Sequence, residues 1–174
     1  MQGPGQRQLQ LAQHVGFNTL PDQLVNKHIE RGFRFNVLCV GATGIGKSSL
    51  LESLFNADFE HSEHSHGEDG VRLDVHTYQL QEGGVALNLT LASTVGFGDQ
   101  LDRQDSMDTV IAYIDEQYDK YLQEELKVTR NMYTYADTRV HACLYMLPPT
   151  GRIIHQLDLM CLSQLARKVP SERE

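Results

Sequence analysis

The sequence predicts an α/β fold, with a mainly parallel sheet, one antiparallel hairpin strand and helices on both faces. Three observations carry that prediction. The run FRFNVLCV at 33–40 is short, apolar and rich in residues that favour strands, the pattern of a parallel strand buried on both sides. It ends in a glycine-rich stretch that leads directly into a helix-like segment. Strand-like and helix-like segments then follow one another to the end of the chain.

Each element has its own signal. In 47–55, Leu50, Leu51 and Leu54 are spaced as one apolar helix face after the glycines. Residues 57–70 are polar and rich in His, Glu and Gly, so they have little to bury and read as a loop. In 71–80, Val71, Leu73 and Val75 alternate with polar residues, and 85–91 repeats the alternation after Gly83-Gly84, which predicts a hairpin with one buried face. From 106 to 127, Val110, Ile111, Ile114, Tyr118, Tyr121, Leu122 and Leu126 recur at helical spacing, and the acidic residues lie mostly elsewhere. VHACLYML at 140–147 reads as a second buried strand stopped by Pro148-Pro149, and 157–169 as a closing helix. Right-handed crossovers then put 85–91 and 140–147 on either side of 33–40.

At 174 residues and 40% hydrophobic, the chain has material for one core. No apolar run approaches the ~20 residues of a membrane span, and residues 1–13 fit neither a signal peptide nor an anchor, so the expected location is the cytoplasm. A net charge of -8 and a pI of 5.4 give no overall electrostatic footprint for nucleic acid. Cys39, Cys143 and Cys161 are isolated and odd in number, so they read as small core residues and not as a disulfide framework or a zinc site. His61, His64, His66 and His76 suggest a metal cluster, but a solvated loop accounts for the same residues.

The chemistry lies in Gly41-Ala42-Thr43-Gly44-Ile45-Gly46-Lys47-Ser48, a GxxxxGKS loop between strand and helix. A polyphosphate needs several donors converging from one side. Gly41, Gly44 and Gly46 let successive amides turn inward without Cβ clashes, and the start of the helix adds its positive dipole end. Lys47 is expected to reach the outer phosphates, the Ser48 hydroxyl to be the inner ligand of Mg²⁺, and Ser49 to begin the following turn. A second glycine motif, Ser93-Thr94-Val95-Gly96-Phe97-Gly98-Asp99, falls where P-loop GTPases usually carry Asp-x-x-Gly. Gly96 keeps the amide that senses the γ-phosphate. Ser93 replaces the Asp, which predicts weakened Mg²⁺ binding and little hydrolysis; Asp99, six residues on, is a candidate substitute.

With those motifs in view, the chain resembles a septin, a filament-forming cytoskeletal GTP-binding protein, and most resembles the septin-six subgroup. The resemblance runs from about His14 to Val169. It rests on HVGFNTLPDQLVNK, GATGIGKSS, STVGFGDQ, YIDEQYDKYLQEEL, DTRVHACLY and LPPTG. It implies a Ras-like septin G domain that binds GTP or GDP with Mg²⁺. It also implies association with other septins into hetero-oligomeric filaments in the cytoskeleton, and membrane-surface contact only through that assembly. The implied division is a flexible leader at 1–20, an interface helix at 21–32, a partial G domain at 33–169 and a divergent tail at 170–174.

The departures from the family are specific. The slot of the switch Thr falls on Gly70, a loss that the septin-six subgroup shares. With Ser93, it predicts nucleotide in a structural role and not as a substrate. Arg152 stands after PPTG where many septins have a His that reaches across the nucleotide interface. The family continues into another strand and an AKAD guanine-reading motif that this sequence lacks. Hence the expectation of a carboxyl-terminally truncated domain, with 140–147 as an exposed edge strand. The competing readings are a slow GTPase switch completed by a partner and a non-functional or interfering truncated form.

Overall fold

The computed structural model describes residues 19–59, 70–97, 103–132, 135–149, 154 and 156–169. Its elements are α1 (Leu20–Arg31), β1 (Phe33–Gly41), α2 (Lys47–Phe55), β2 (Arg72–Glu82), β3 (Val85–Val95), α3 (Arg103–Leu126), β4 (Ala142–Met146) and α4 (Gln156–Lys168). The four strands form one sheet in the order β2-β3-β1-β4, with β1 parallel to β3 and β4, and β2 antiparallel to β3. This is the predicted topology. Gly83 and Gly84 both have positive φ, 57° and 83°, as a two-residue turn matched to strand twist requires. Glu82 therefore faces Val85, and every other β2–β3 pair follows from that turn.

Alternate side chains of β1 enter two different cores. Leu38 and Val40 pack with Met107, Val110 and Ile114 of α3 and Cys161 and Leu165 of α4. Val37 and Cys39 pack with Leu51 of α2, Phe59, Leu89 and Leu91. Residues 36–41 are all buried, so the strand that feeds the glycine loop is fixed from both sides. At its start, the Asn36 carboxamide donates to the carbonyls of Asp137 (2.9 Å) and Arg139 (2.8 Å), and its backbone N–H donates to His141 Nδ1 (3.0 Å). These bonds hold the segment before β4 against the sheet.

Two apolar stripes behave differently from the sequence reading. In α2 the inward row is Lys47, Leu51 and Phe55, each one turn apart, while Leu50 and Leu54 are 44% and 63% exposed. The inward-turned Lys47 at the helix start sets that rotation. In α3, Val110 and Ile114 are buried and Tyr118 still packs on the same core, but Leu122 and Leu126, beyond it, are exposed. Val71, just before β2, and Leu73 pack against the α3–α4 core, and Val75 is exposed. Tyr78 and Leu80 bury instead on the α2 face.

The outer elements are held more lightly. α1 carries Pro21 in its first turn and ends on Gly32 at φ 74, whose N–H donates to Ile29 O; none of its residues is buried. A Cβ at Gly32 would come within 2.9 Å of Ala86 O, so the helix end sits directly on β3. Polar contacts tie α4 in. Tyr145 O–H donates to the buried carboxylate of Asp158 (2.9 Å), and Lys168 pairs with Asp115 of α3 (2.7 Å). Burial, then the hydrogen bond to Asp158, push the Tyr145 phenol well above its usual range.

Candidate functional site

β1 leaves the core at Gly41 and the chain turns into α2 through a loop with left-handed glycines, Gly44 at φ 78 and Gly46 at φ 94. A side chain at either position would be strained, and a Cβ added there meets nothing within 4 Å, so the cradle opens toward solvent. Around it lies a cavity of about 280 Å³ lined by Thr43, Gly44, Gly46, Lys47, Ser48, Ser49, Ser93, Thr94 and Val95. The structure thus brings the two glycine motifs together around one cavity. Gly41, Ala42 and Ile45 complete the loop behind it, with Gly41 against Met146 of β4.

Lys47 is only 8% exposed, and its ammonium donates to the carbonyls of Gly41 (2.9 Å) and Ala42 (2.8 Å). A buried ammonium favours an anion beside it. Its field reaches Cys39, where burial raises the thiol pKa and Lys47 partly lowers it again. Ser48, in the first turn of α2, is half-buried and lines the same cavity. Left-handed glycines, a buried lysine and the N-terminus of α2 fit a polyphosphate. For Mg²⁺, the side chains lining the cavity offer neutral hydroxyls, from Ser48, Ser49 and Ser93, and no carboxylate, while those of Thr43 and Thr94 accept from the backbone N–H groups of Gly96 and Gly41.

Thr94 is a residue that the sequence reading passed over. It is 1% exposed, accepts from Gly41 N–H (3.2 Å) and places its own hydroxyl 3.2 Å from Gly41 O, so it clamps the last residue of β1 to β3. A threonine inside a strand signals only β-propensity, and nothing local marks it as a clamp. A second tie joins the motifs: Gly96 N–H donates to Thr43 Oγ1 (3.1 Å). Gly96 has φ 76, and a Cβ there would stand 2.9 Å from Gly70 O. Gly70, read as the switch-threonine slot, therefore lies against the glycine expected to sense the γ-phosphate. Asp99, Arg152, His61, His64 and His66 lie outside the described residues. His76 sits on β2, and no group of three metal-ligating side chains occurs among the described residues.

Comparison with known proteins agrees with this architecture. The Septin family model matches residues 31–170. Septin-11 of Homo sapiens is 54% identical over 163 residues, and Septin-8-B of Xenopus laevis is 55% identical over 163; each alignment covers 94% of this chain and 38% of the relative. Septin-10 of Pongo abelii is 52% identical over 163 residues, with 35% of the relative covered. The chain thus spans little more than a third of the length of these relatives, which are consistent with the septin-six-like subgroup. The crystal structure of the septin GTPase domain from Chlamydomonas reinhardtii matches with a TM-score of 0.55 at 24% identity, over 80% of this chain and 51% of that one, and supports the fold. On its sequence, its sheet and its two glycine motifs, the chain belongs to the septin family.

Proposed function

We propose that the chain is a septin-type GTP-binding subunit. In this reading it holds guanine nucleotide at 41–49 and Gly96 as a structural part of an assembly with other septins, in the cytoplasmic cytoskeleton. The observation that carries the reading is the pairing of a buried Lys47 with two left-handed glycines at the mouth of one cavity. Amides of the loop and the α2 N-terminus bind the phosphates, Lys47 meets the outer charge, and Gly96 N–H is set by Thr43 toward the same region. Mg²⁺, with Ser48 as its protein ligand, would neutralise phosphate charge. Ser93 and Gly70 supply neither a carboxylate nor a hydroxyl-bearing switch residue of the usual kind. Binding without appreciable hydrolysis follows.

Exposed apolar residues on α1, with Leu24 at 57% and Val25 at 55%, support an interface role for 21–32. Relatives named as septins support partnership with other septins. The test is equilibrium binding of fluorescent GTP to the 174-residue chain, with ATP as competitor and phosphate release followed in parallel. Saturable, GTP-preferring binding with no release is the expected result. Multiple turnover that disappears in Lys47→Ala would replace this reading with that of an active GTPase.

A further inference from the structure

Ser93 marks the point where the second glycine motif lacks its acid, and the sheet register brings an acid to its side. Asp74 of β2 is the direct partner of Ser93 of β3, and Ser93 is in turn the partner of Cys39 on β1. Directly opposed residues of an antiparallel pair project from the same face, with Cβ atoms roughly 4.5–5.5 Å apart. That face is the one carrying Cys39, Leu89, Leu91 and Tyr78 beneath α2, and Ser93 there lines the phosphate cavity together with Ser48. The row Cys39, Ser93, Asp74 therefore crosses the sheet beside the phosphate cavity and ends in a carboxylate.

The carboxylate is partly shielded, with a side-chain exposure of 25%, and His76 on the same face places Nε2 3.5 Å from Asp74 Oδ1. That nitrogen is itself screened from solvent and makes no hydrogen bond among the described residues. Moving an acid one strand over displaces it by ~4.8 Å, and one bridging water with two hydrogen bonds spans roughly 5.5 Å. An outer-sphere role, in which the acid orients water on the metal, tolerates this shift, whereas direct coordination would not.

We propose that Asp74 takes over, from the adjacent strand, the metal-hydration role that Ser93 cannot perform, acting through one bridging water on the hydration shell of a Mg²⁺ held by Ser48 and the nucleotide phosphates. Asp74 is a positioning residue in this scheme, and the scheme rests on the reading of 41–49 as the nucleotide site. The neutral Ser93 leaves room and avoids two opposed carboxylates, which would repel across the pair.

The test is the affinity of the chain for a fluorescent guanine nucleotide, measured in EDTA and across a Mg²⁺ titration, for the natural sequence, Asp74→Asn, Asp74→Glu and the double variant Asp74→Asn/Ser93→Asp. In EDTA all four should bind within about twofold of one another. The Mg²⁺ midpoint of Asp74→Asn should rise by about 10- to 100-fold, the usual effect of removing an outer-shell partner. Asp74→Glu should keep part of the affinity, and the double variant should recover it by restoring the acid at position 93. Asp74→Thr, favourable in a strand, gives the same readout if Asn impairs folding. A Mg²⁺ midpoint in Asp74→Asn or Asp74→Thr within twofold of the natural chain overturns the proposal, as does nucleotide binding by the natural chain that ignores Mg²⁺. Failure of the natural chain to bind even in EDTA overturns the nucleotide-site reading itself, a separate outcome.

Discussion

The centre of the sheet and the helix at its amino-terminal flank are built on opposite terms. β1 is buried on both faces by two cores and is clamped at its end by Thr94, so the loop that follows it starts from a fixed point. α1 has no buried residue and presents Leu20, Leu24 and Val25 to solvent. A phosphate cradle needs its amides held within tenths of an ångström, which only the doubly buried strand supplies. An apolar surface helix with little to lose in the isolated chain is suited to contact a partner.

The largest expected effect sits in the centre. Leu38 is fully buried, and Leu38→Ala should cost about 2–5 kcal/mol, a large part of the ~5–15 kcal/mol that a domain has, whereas Leu24→Ala on α1 should change stability by less than about 0.5 kcal/mol. Urea midpoints of the two variants measure the contrast directly, and equal losses would break it. Next comes Lys47→Ala, which removes charge-assisted bonds worth roughly 1.5–3 kcal/mol, a roughly 10- to 150-fold loss of nucleotide affinity. That loss should appear by fluorescence titration while the circular-dichroism spectrum is kept.

Gly96→Ala forces a side chain into φ 76 and against Gly70 O. A cost of about 1–3 kcal/mol is expected, visible as a lowered thermal midpoint and weaker nucleotide binding together. Smaller still is the acid limb of stability. Burial works to raise the Asp137 carboxyl, but the hydrogen bonds and charge of Arg139, with His141 beyond, outweigh it and hold its pKa below the ordinary 3.8. A group lowered on folding contributes fully above its unfolded pKa and loses that contribution as pH falls through the folded one. Asp137→Asn should therefore be less stable at pH 7, and the difference should close below about pH 3.8, as a pH series of urea midpoints will show. The mildest prediction concerns the core thiols. Burial, with Cys39 nearby, pushes Cys143 up to about 12, so it should resist alkylation at pH 8 in the native chain and react once urea unfolds it.

Much of this was legible in the sequence because the signals were local and redundant. The apolar run of β1, the glycines and the Gly83-Gly84 turn each specify conformation within a few residues, and together they yield the strand order. The rotation of α2 was not legible. Leu50, Leu51 and Leu54 satisfy a helical stripe, but Lys47 must face inward, and that selects Leu51 and Phe55. Thr94 was missed for a similar reason, since a clamp on the neighbouring strand leaves no trace in its own neighbourhood. The Asp74–Ser93 pairing was implicit: a two-residue turn fixes the register, but its meaning emerges only once Ser93 is seen to line the cavity.

The central claim is that the doubly buried strand holds a working phosphate cradle while α1 stays apart from it. Backbone hydrogen exchange of the chain with and without GDP and Mg²⁺ tests this most directly. Exchange at the amides of 43–49 and Gly96 should slow when nucleotide is added, and exchange across α1 should not change. Protection spread evenly over the chain, or absent from 43–49, would contradict it.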